Sequence, residues 1–289
     1  MPRSTILRRG AAVAAALALA GAAGADASLD SGDRDRGGDR WQQRDDDSRM
    51  FYATTDQNLL VQFDERRPNR NQAVQAISGL PAGVTLRGID FRPATGDLYG
   101  VGSDNIVYRV NPVTAIAISE GPAFTPALNG TSFGVDFNPT VDKIRVTSDA
   151  TQNLRLNPDE GTVLMADSNL NPGMPQVVGS AYTNSSFSAG RPTATQLYAV
   201  DAATDQLFLQ SPPNDGTLTM GKRLRVDVGQ QTGFDIAGDD NVGYLATSTS
   251  RSRGSTLYRV DVLTGKTRKL GRIGGGRRLL VTGLAAWQD

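Results

Sequence analysis

Gly88-Ile89-Asp90-Phe91 returns as Gly134-Val135-Asp136-Phe137 and as Gly233-Phe234-Asp235-Ile236, with worn copies at Gly179-Ser180-Ala181-Tyr182 and Gly283-Leu284-Ala285-Ala286. The copies lie about 45–55 residues apart, a period that marks stacked supersecondary units, propeller blades above all. The unit around the first copy shows what is being repeated. Residues 88–91, 98–101, 106–110 and 115–119 are short apolar runs, parted by turns at 92–96, 103–105 and 111–114. Four strands with tight turns are the anatomy of one blade. No stretch from Arg49 onward keeps a helical period over a dozen residues, so the domain reads as all-β.

Second strands recur at residues 50–53, 143–146, 196–199 and 243–246, and third strands at 60–63, 153–156, 207–209 and 257–260. Asp64, Asn157, Ser211 or Asp261 follows the third strand, each able to turn the chain by bonding its side-chain oxygen to the backbone ahead. The counts fail to match at the ends. The first unit lacks a first strand before Met50, and the chain finishes on an orphan first strand, residues 281–287. Pairing that orphan with the strand through Phe51 and Tyr52 completes a blade from both ends and closes the ring. The fold expected is a five-bladed β-propeller over residues 49–289. Six blades is the alternative, should the longer interval from Val178 to Thr232 hide a unit.

Two segments precede the propeller. Arg3, Arg8 and Arg9 stand before an apolar stretch, residues 11–23, that is too short to span a bilayer, and Ala25-Asp26-Ala27 offers small residues for cleavage. Residues 1–27 read as a signal peptide of Sec or Tat type, which implies export to the periplasm or beyond. Residues 28–48 consist mainly of Asp, Arg, Gly and Gln and read as a disordered charged linker. No later segment is apolar enough to span a membrane.

Composition narrows the chemistry. The 30 basic residues equal the 30 acidic ones, so no net charge selects nucleic acid. Cysteine is absent, which excludes disulfides, thiolate nucleophiles and zinc–thiolate sites. Histidine is absent too, and with it the commonest general base and transition-metal ligand. A Gly-x-Ser-x-Gly elbow is also lacking. Any catalysis would rest on carboxylates, lysine, tyrosine, serine or a hard cation bound by oxygen.

The spacing of the phrase in residues 88–100, its counterpart in 134–139, the segment 232–236 and the ending 280–287 resemble the bacterial family called domain of unknown function 4394. The resemblance covers residues 50–287. It implies an exported protein with propeller-like repeats and brings no catalytic residues to carry over.

Strand alternation sends Ile89 and Phe91 to one face of the blade and Gly88 and Asp90 to the other. First strands line a propeller's axis, so Asp90, Asp136 and Asp235 are expected to approach one another there, with Ala181 and Ala285 at the two remaining positions. Three converging carboxylates suit calcium or magnesium, as in calcium-dependent hydrolases of the lactonase or phosphotriesterase type. The same aspartates can instead accept backbone N–H groups and set the spacing between blades. That structural role is the main expectation, because a residue that recurs in register belongs first to the repeat.

The function expected is therefore a non-catalytic binding or scaffold module for a small molecule, polysaccharide or protein. The chain is expected to be monomeric, with no cofactor unless calcium sits on the axis. One alternative is the calcium-dependent hydrolase. The other is a binder of an anionic envelope polymer. For that role Lys222, Arg223 and Arg225 on one outer strand, with Lys266, Arg268, Lys269 and Arg272 on another, would supply the charge, and Arg251, Arg253, Arg277 and Arg278 would add to it.

Overall fold

The computed structural model describes residues 48–287 apart from 250, 251, 253 and 276. The expected signal peptide and nearly all of the expected linker lie outside the described residues, as do Arg251 and Arg253. Among the described residues, twenty strands form five four-stranded antiparallel sheets. The first sheet contains β1 (Met50–Thr55), β2 (Leu59–Asp64) and β3 (Asn71–Ala76). The second runs β4 (Leu86–Phe91), β5 (Leu98–Gly102), β6 (Val107–Val110) and β7 (Ala117–Ser119). The third is β8 (Phe133–Asn138), β9 (Lys143–Ser148), β10 (Asn153–Asn157) and β11 (Thr162–Ala166). The fourth is β12 (Val177–Tyr182), β13 (Leu197–Asp201), β14 (Gln206–Gln210) and β15 (Leu218–Arg223). The fifth is β16 (Thr232–Ile236), β17 (Gly243–Thr247), β18 (Thr256–Val260) and β19 (Thr267–Arg272), after which β20 (Val281–Ala286) returns to the first sheet.

β20 pairs with β1 in the register Phe51↔Ala286, Tyr52↔Ala285 and Ala53↔Leu284, so the first sheet is built from both ends of the domain. Trp287 continues the pairing by donating its N–H to the Met50 carbonyl at 2.8 Å, and its ring meets Phe91 edge-on at 4.9 Å. The inner strands β4, β8, β12, β16 and β20 touch one another in a complete cycle. This is a five-bladed propeller, closed as the unmatched strand count required.

Turn chemistry fits the sequence at Asp64 and Asp261, whereas Asn157 spends its side-chain oxygen on the Lys143 ammonium at 3.0 Å instead of on the backbone ahead. Asp64 accepts the N–H groups of Arg66 and Arg67, Asn111 those of Val113 and Thr114, and Asp261 that of Leu263. The β1–β2, β5–β6, β8–β9, β13–β14 and β16–β17 turns place Asn58, Asn105, Asp142, Asp205 and Asn241 at positive φ, where Asn and Asp pay the least among residues with a side chain.

The core lies between blades. Ile89 and Phe91 of β4 pack with Tyr52 and Leu60 of the preceding blade. Gly88, on the opposite face, meets Val135 of the following blade, which confirms the alternation. The same contact recurs around the ring. A Cβ on Gly134 would lie 2.3 Å from the Ser180 backbone nitrogen, and one on Gly283 would lie 2.9 Å from the Gly88 Cα. The repeated glycine is therefore the point of closest approach between inner strands. Gly134→Ala is expected to destabilise the fold by roughly 1–3 kcal/mol, because the obstacle is backbone and has no rotamer to give. Chemical denaturation would read this as a lower midpoint at unchanged slope.

One seam is built differently. Between the third and fourth blades the buried apolar cluster shrinks to Leu170, Val177, Ala199 and Leu218. A buried polar network takes its place. Arg145, 2% exposed, donates to Asn153 at 2.8 Å, Asp167 at 2.6 Å, Asn214 at 2.8 Å and the Tyr182 hydroxyl at 3.2 Å. Four of the five N–H groups of this guanidinium are met within the protein, and Asp167 balances its charge, as a buried charge demands.

Candidate functional site on the axis

Each first strand reaches the axis at the third residue of its phrase. There the side chains of Asp90 (β4), Asp136 (β8) and Asp235 (β16) bring one carboxylate oxygen apiece within 4.8 Å of the others. Ala181 of β12 and Ala285 of β20 occupy the two remaining positions and leave room for the three acids. All three aspartates are sealed from solvent, at 1%, 2% and 1% exposure.

Their hydrogen bonds follow one rule. Asp90 accepts the N–H of Phe91 in its own strand and of Phe137 in the next blade, both at 2.7 Å. Asp136 accepts the N–H of Tyr182 in the next blade at 3.0 Å. Asp235 accepts from Ile236 and, across to the closing strand, from Ala286, both at 2.6 Å. In every case the partner is the residue after the equivalent position of the following phrase. The recurring aspartate thus fixes the spacing of successive inner strands, as expected of a repeat residue.

That role leaves a charge problem unsolved. Burial pushes the Asp90 carboxyl well above the ordinary range, and the Asp235 charge pushes the same way, against the pull of the two N–H donors. Burial also lifts Asp136, with Asp90 and then Asp235 adding to the effect, against the pull of the Tyr182 N–H. Asp235 rises to about 6 through burial, held down by its two backbone donors and by the more distant Arg49. Among the described residues no lysine or arginine forms an ion pair with any of the three. Three carboxylates this close cannot all ionise without compensation, so the cluster must hold shared protons or a cation.

The donor set fits a hard cation. It is all oxygen, it needs no histidine, and each carboxylate oxygen carries a second lone pair beyond the one spent on an N–H. Only one oxygen of Asp136 accepts a backbone N–H, and the Asp136 carboxyl also hydrogen-bonds to that of Asp235, a contact that a shared proton or a cation would occupy. Phosphate or ester chemistry at such a cation would be Lewis-acid activation.

The family model of Domain of unknown function (DUF4394) matches residues 59–285. The chain belongs to the DUF4394 family. That match runs from β2 to Ala285 of β20 and includes every axial residue of this DUF4394 propeller. No curated protein matches the chain. Among solved structures, a structural genomics protein of unknown function from Bacteroides thetaiotaomicron VPI-5482 is 14% identical, with TM-score 0.47, over 76% of this chain and 57% of that one. Kuenenia stuttgartiensis hydrazine synthase is 11% identical, TM-score 0.41, over 69% and 52%. Myxococcus xanthus glutaminyl cyclase is 9% identical, TM-score 0.43, over 68% and 89%. The chain spans little more than half the length of the first two. At these TM-scores none of the likenesses bears on activity, and the propeller assignment rests on the strand pairing itself.

The remaining sequence candidates fall on the outside. Lys222 and Arg223 lie on β15, and Arg268, Lys269 and Arg272 on β19, each the outermost strand of its blade. The β18–β19 turn carrying Lys266 packs on β15, where Thr267 donates to the Leu224 carbonyl at 2.8 Å. The two basic strands thus meet at this turn. Arg145 was not among the sequence candidates, yet a signal existed. Across from the axial position the second strands carry Tyr52, Tyr99, Tyr198 and Tyr244, and Arg145 alone departs from tyrosine. No described helix is long and apolar enough to cross a membrane.

Proposed function

We propose that this DUF4394 protein is an exported propeller whose axial aspartates hold a divalent cation of the calcium class, and that the cation serves the hydrolysis of a lactone, phosphotriester or aryl ester. The observation that carries the reading is the convergence of three buried carboxylate oxygens within 4.8 Å, none of them ion-paired with a lysine or arginine among the described residues. Export rests on the leader read in residues 1–27. Turnover of the three ester classes is measured with calcium and with chelator. Calcium-dependent turnover that disappears in Asp90→Asn is the expected result, and turnover indifferent to chelator would overturn the hydrolase reading.

A second reading is favoured by a different observation. Each aspartate already ties one blade to the next and is nearly sealed from solvent, which suits a binding or scaffold module stabilised at its axis rather than a site open to substrate. Calcium binding without turnover of any ester supports this module. The two readings share the cation and part only on catalysis.

A further inference from the structure

The seam that closes the ring carries a groove on the outside of the molecule. Its walls are Asn69 from the β2–β3 turn, Asn71 and Gln72 from the start of β3 and Arg277 from the loop between β19 and β20, over a floor of Val74 and Gly274, with a volume near 430 Å³. That volume lies within the roughly 300–1,000 Å³ typical of small-ligand sites. The walls are tied together. Gly274, at φ 74°, donates its N–H to the Pro68 carbonyl at 2.9 Å, and a Cβ there would lie 2.4 Å from Leu279. The glycine loop is thus held against the β2–β3 turn, and Arg277 follows it directly.

The lining selects a chemistry. Amide side chains both donate and accept, which matches neighbouring hydroxyl groups, while the guanidinium of Arg277 matches a carboxylate. The amide oxygen of Asn71 is shielded from water and has no hydrogen-bond partner among the described residues. An orphaned acceptor needs a donor, and a ligand hydroxyl supplies one once the amide turns toward the groove. A deoxynucleotide phosphodiester backbone has no hydroxyl to give. The groove also has no aromatic lining residue on which a nucleic-acid base could stack. The two wall segments are basic as well, since Arg70 and Arg278 are exposed on them.

We infer that this groove binds an acidic oligosaccharide, seating one uronate residue with its carboxylate on Arg277 and its hydroxyls on Asn71 and Gln72. The site is remote from the axis and independent of the cation, so the test is run in chelator. The probe is an oligogalacturonate of defined length, titrated calorimetrically at low salt. Its fully methyl-esterified form and an oligothymidylate of equal charge are the comparisons. Binding is expected for the acid, with a loss of about tenfold or more on esterification and in Arg277→Ala, the scale of one charge-assisted contact. Asn71→Ala, at a site with no internal partner to lose, is expected to weaken binding while leaving the melting temperature unchanged. Absence of binding, equal affinity for the oligothymidylate, or affinity untouched by Arg277→Ala would each overturn the assignment.

Discussion

A chain ending at Leu280 is expected to fail to fold, although it lacks only the last strand and two further residues beyond Trp287. β20 is an inner strand and a closure at once. Its Val281, Leu284, Ala285 and Ala286 are at most 2% exposed, and each fully buried valine or leucine contributes roughly 1.5–3 kcal/mol. Removing it also bares Phe51 and Ala53 of β1, Phe91 of β4 and the face of β16, and leaves the Asp235 carboxylate without the Ala286 N–H. These losses together are on the order of the 5–15 kcal/mol that stabilises a whole domain. The unpaired edge of β1 then offers a template for association. Thermal melting and size-exclusion chromatography are expected to show a non-cooperative or aggregated product. A soluble monomer with the parent's melting temperature would contradict the closure.

The second large effect concerns pH. The three axial carboxyls have folded-state values above the ordinary 3.8, with Asp235 at about 6 and Asp90 and Asp136 well above the ordinary value. Between that ordinary value and the raised ones, the folded protein holds more protons than the unfolded chain. Without a cation, the stability the cluster contributes is therefore complete at acid pH and is lost as pH rises through about 6 and beyond. Calcium reverses the trend, since it must displace the same protons and binds better as they leave. At a hundredfold excess over its dissociation constant a ligand specific to the folded state adds about 2.7 kcal/mol. For a domain of this size that is roughly 5–10 °C of melting temperature. Melting curves in chelator should fall with rising pH, and the increment due to calcium should grow with it.

The architecture was legible because the inner-strand phrase must satisfy two fixed demands in every blade. A glycine is needed where inner strands nearly touch, as at Gly134 and Ser180. An aspartate or alanine is needed where side chains crowd the axis. Closure was legible because Phe51–Tyr52 lacked an inner partner and residues 281–287 lacked outer ones. Register alone brought Asp90, Asp136 and Asp235 together, since each occupies the same position in its strand. What register could not convey is the partner of each carboxylate. The Phe137, Tyr182 and Ala286 N–H groups belong to the next blade, and their reach depends on the angle between sheets. The Arg145 network was hidden for a related reason, because its partners Asp167 and Asn214 sit in irregular connections that carry no repeat. The groove at the seam was equally invisible, being assembled from residues 69–74 and from Gly274 and Arg277 at opposite ends of the domain, with no motif in either. Arg277 was noted for its charge, but the amides that give that charge a specific use were not.

The axial cation is the centre of this account, and one titration tests it directly. The melting temperature is followed against calcium at about pH 8, where the shared protons are weakest, for the parent and for Asp136→Asn. The substitution keeps the oxygen that accepts the Tyr182 N–H and removes only a charge and a ligand. A saturable rise is expected for the parent and none for Asp136→Asn. A parent unmoved by calcium, with Asp136→Asn more stable than the parent at the same pH, would show instead that the three carboxylates hold only protons, and would contradict the cation site.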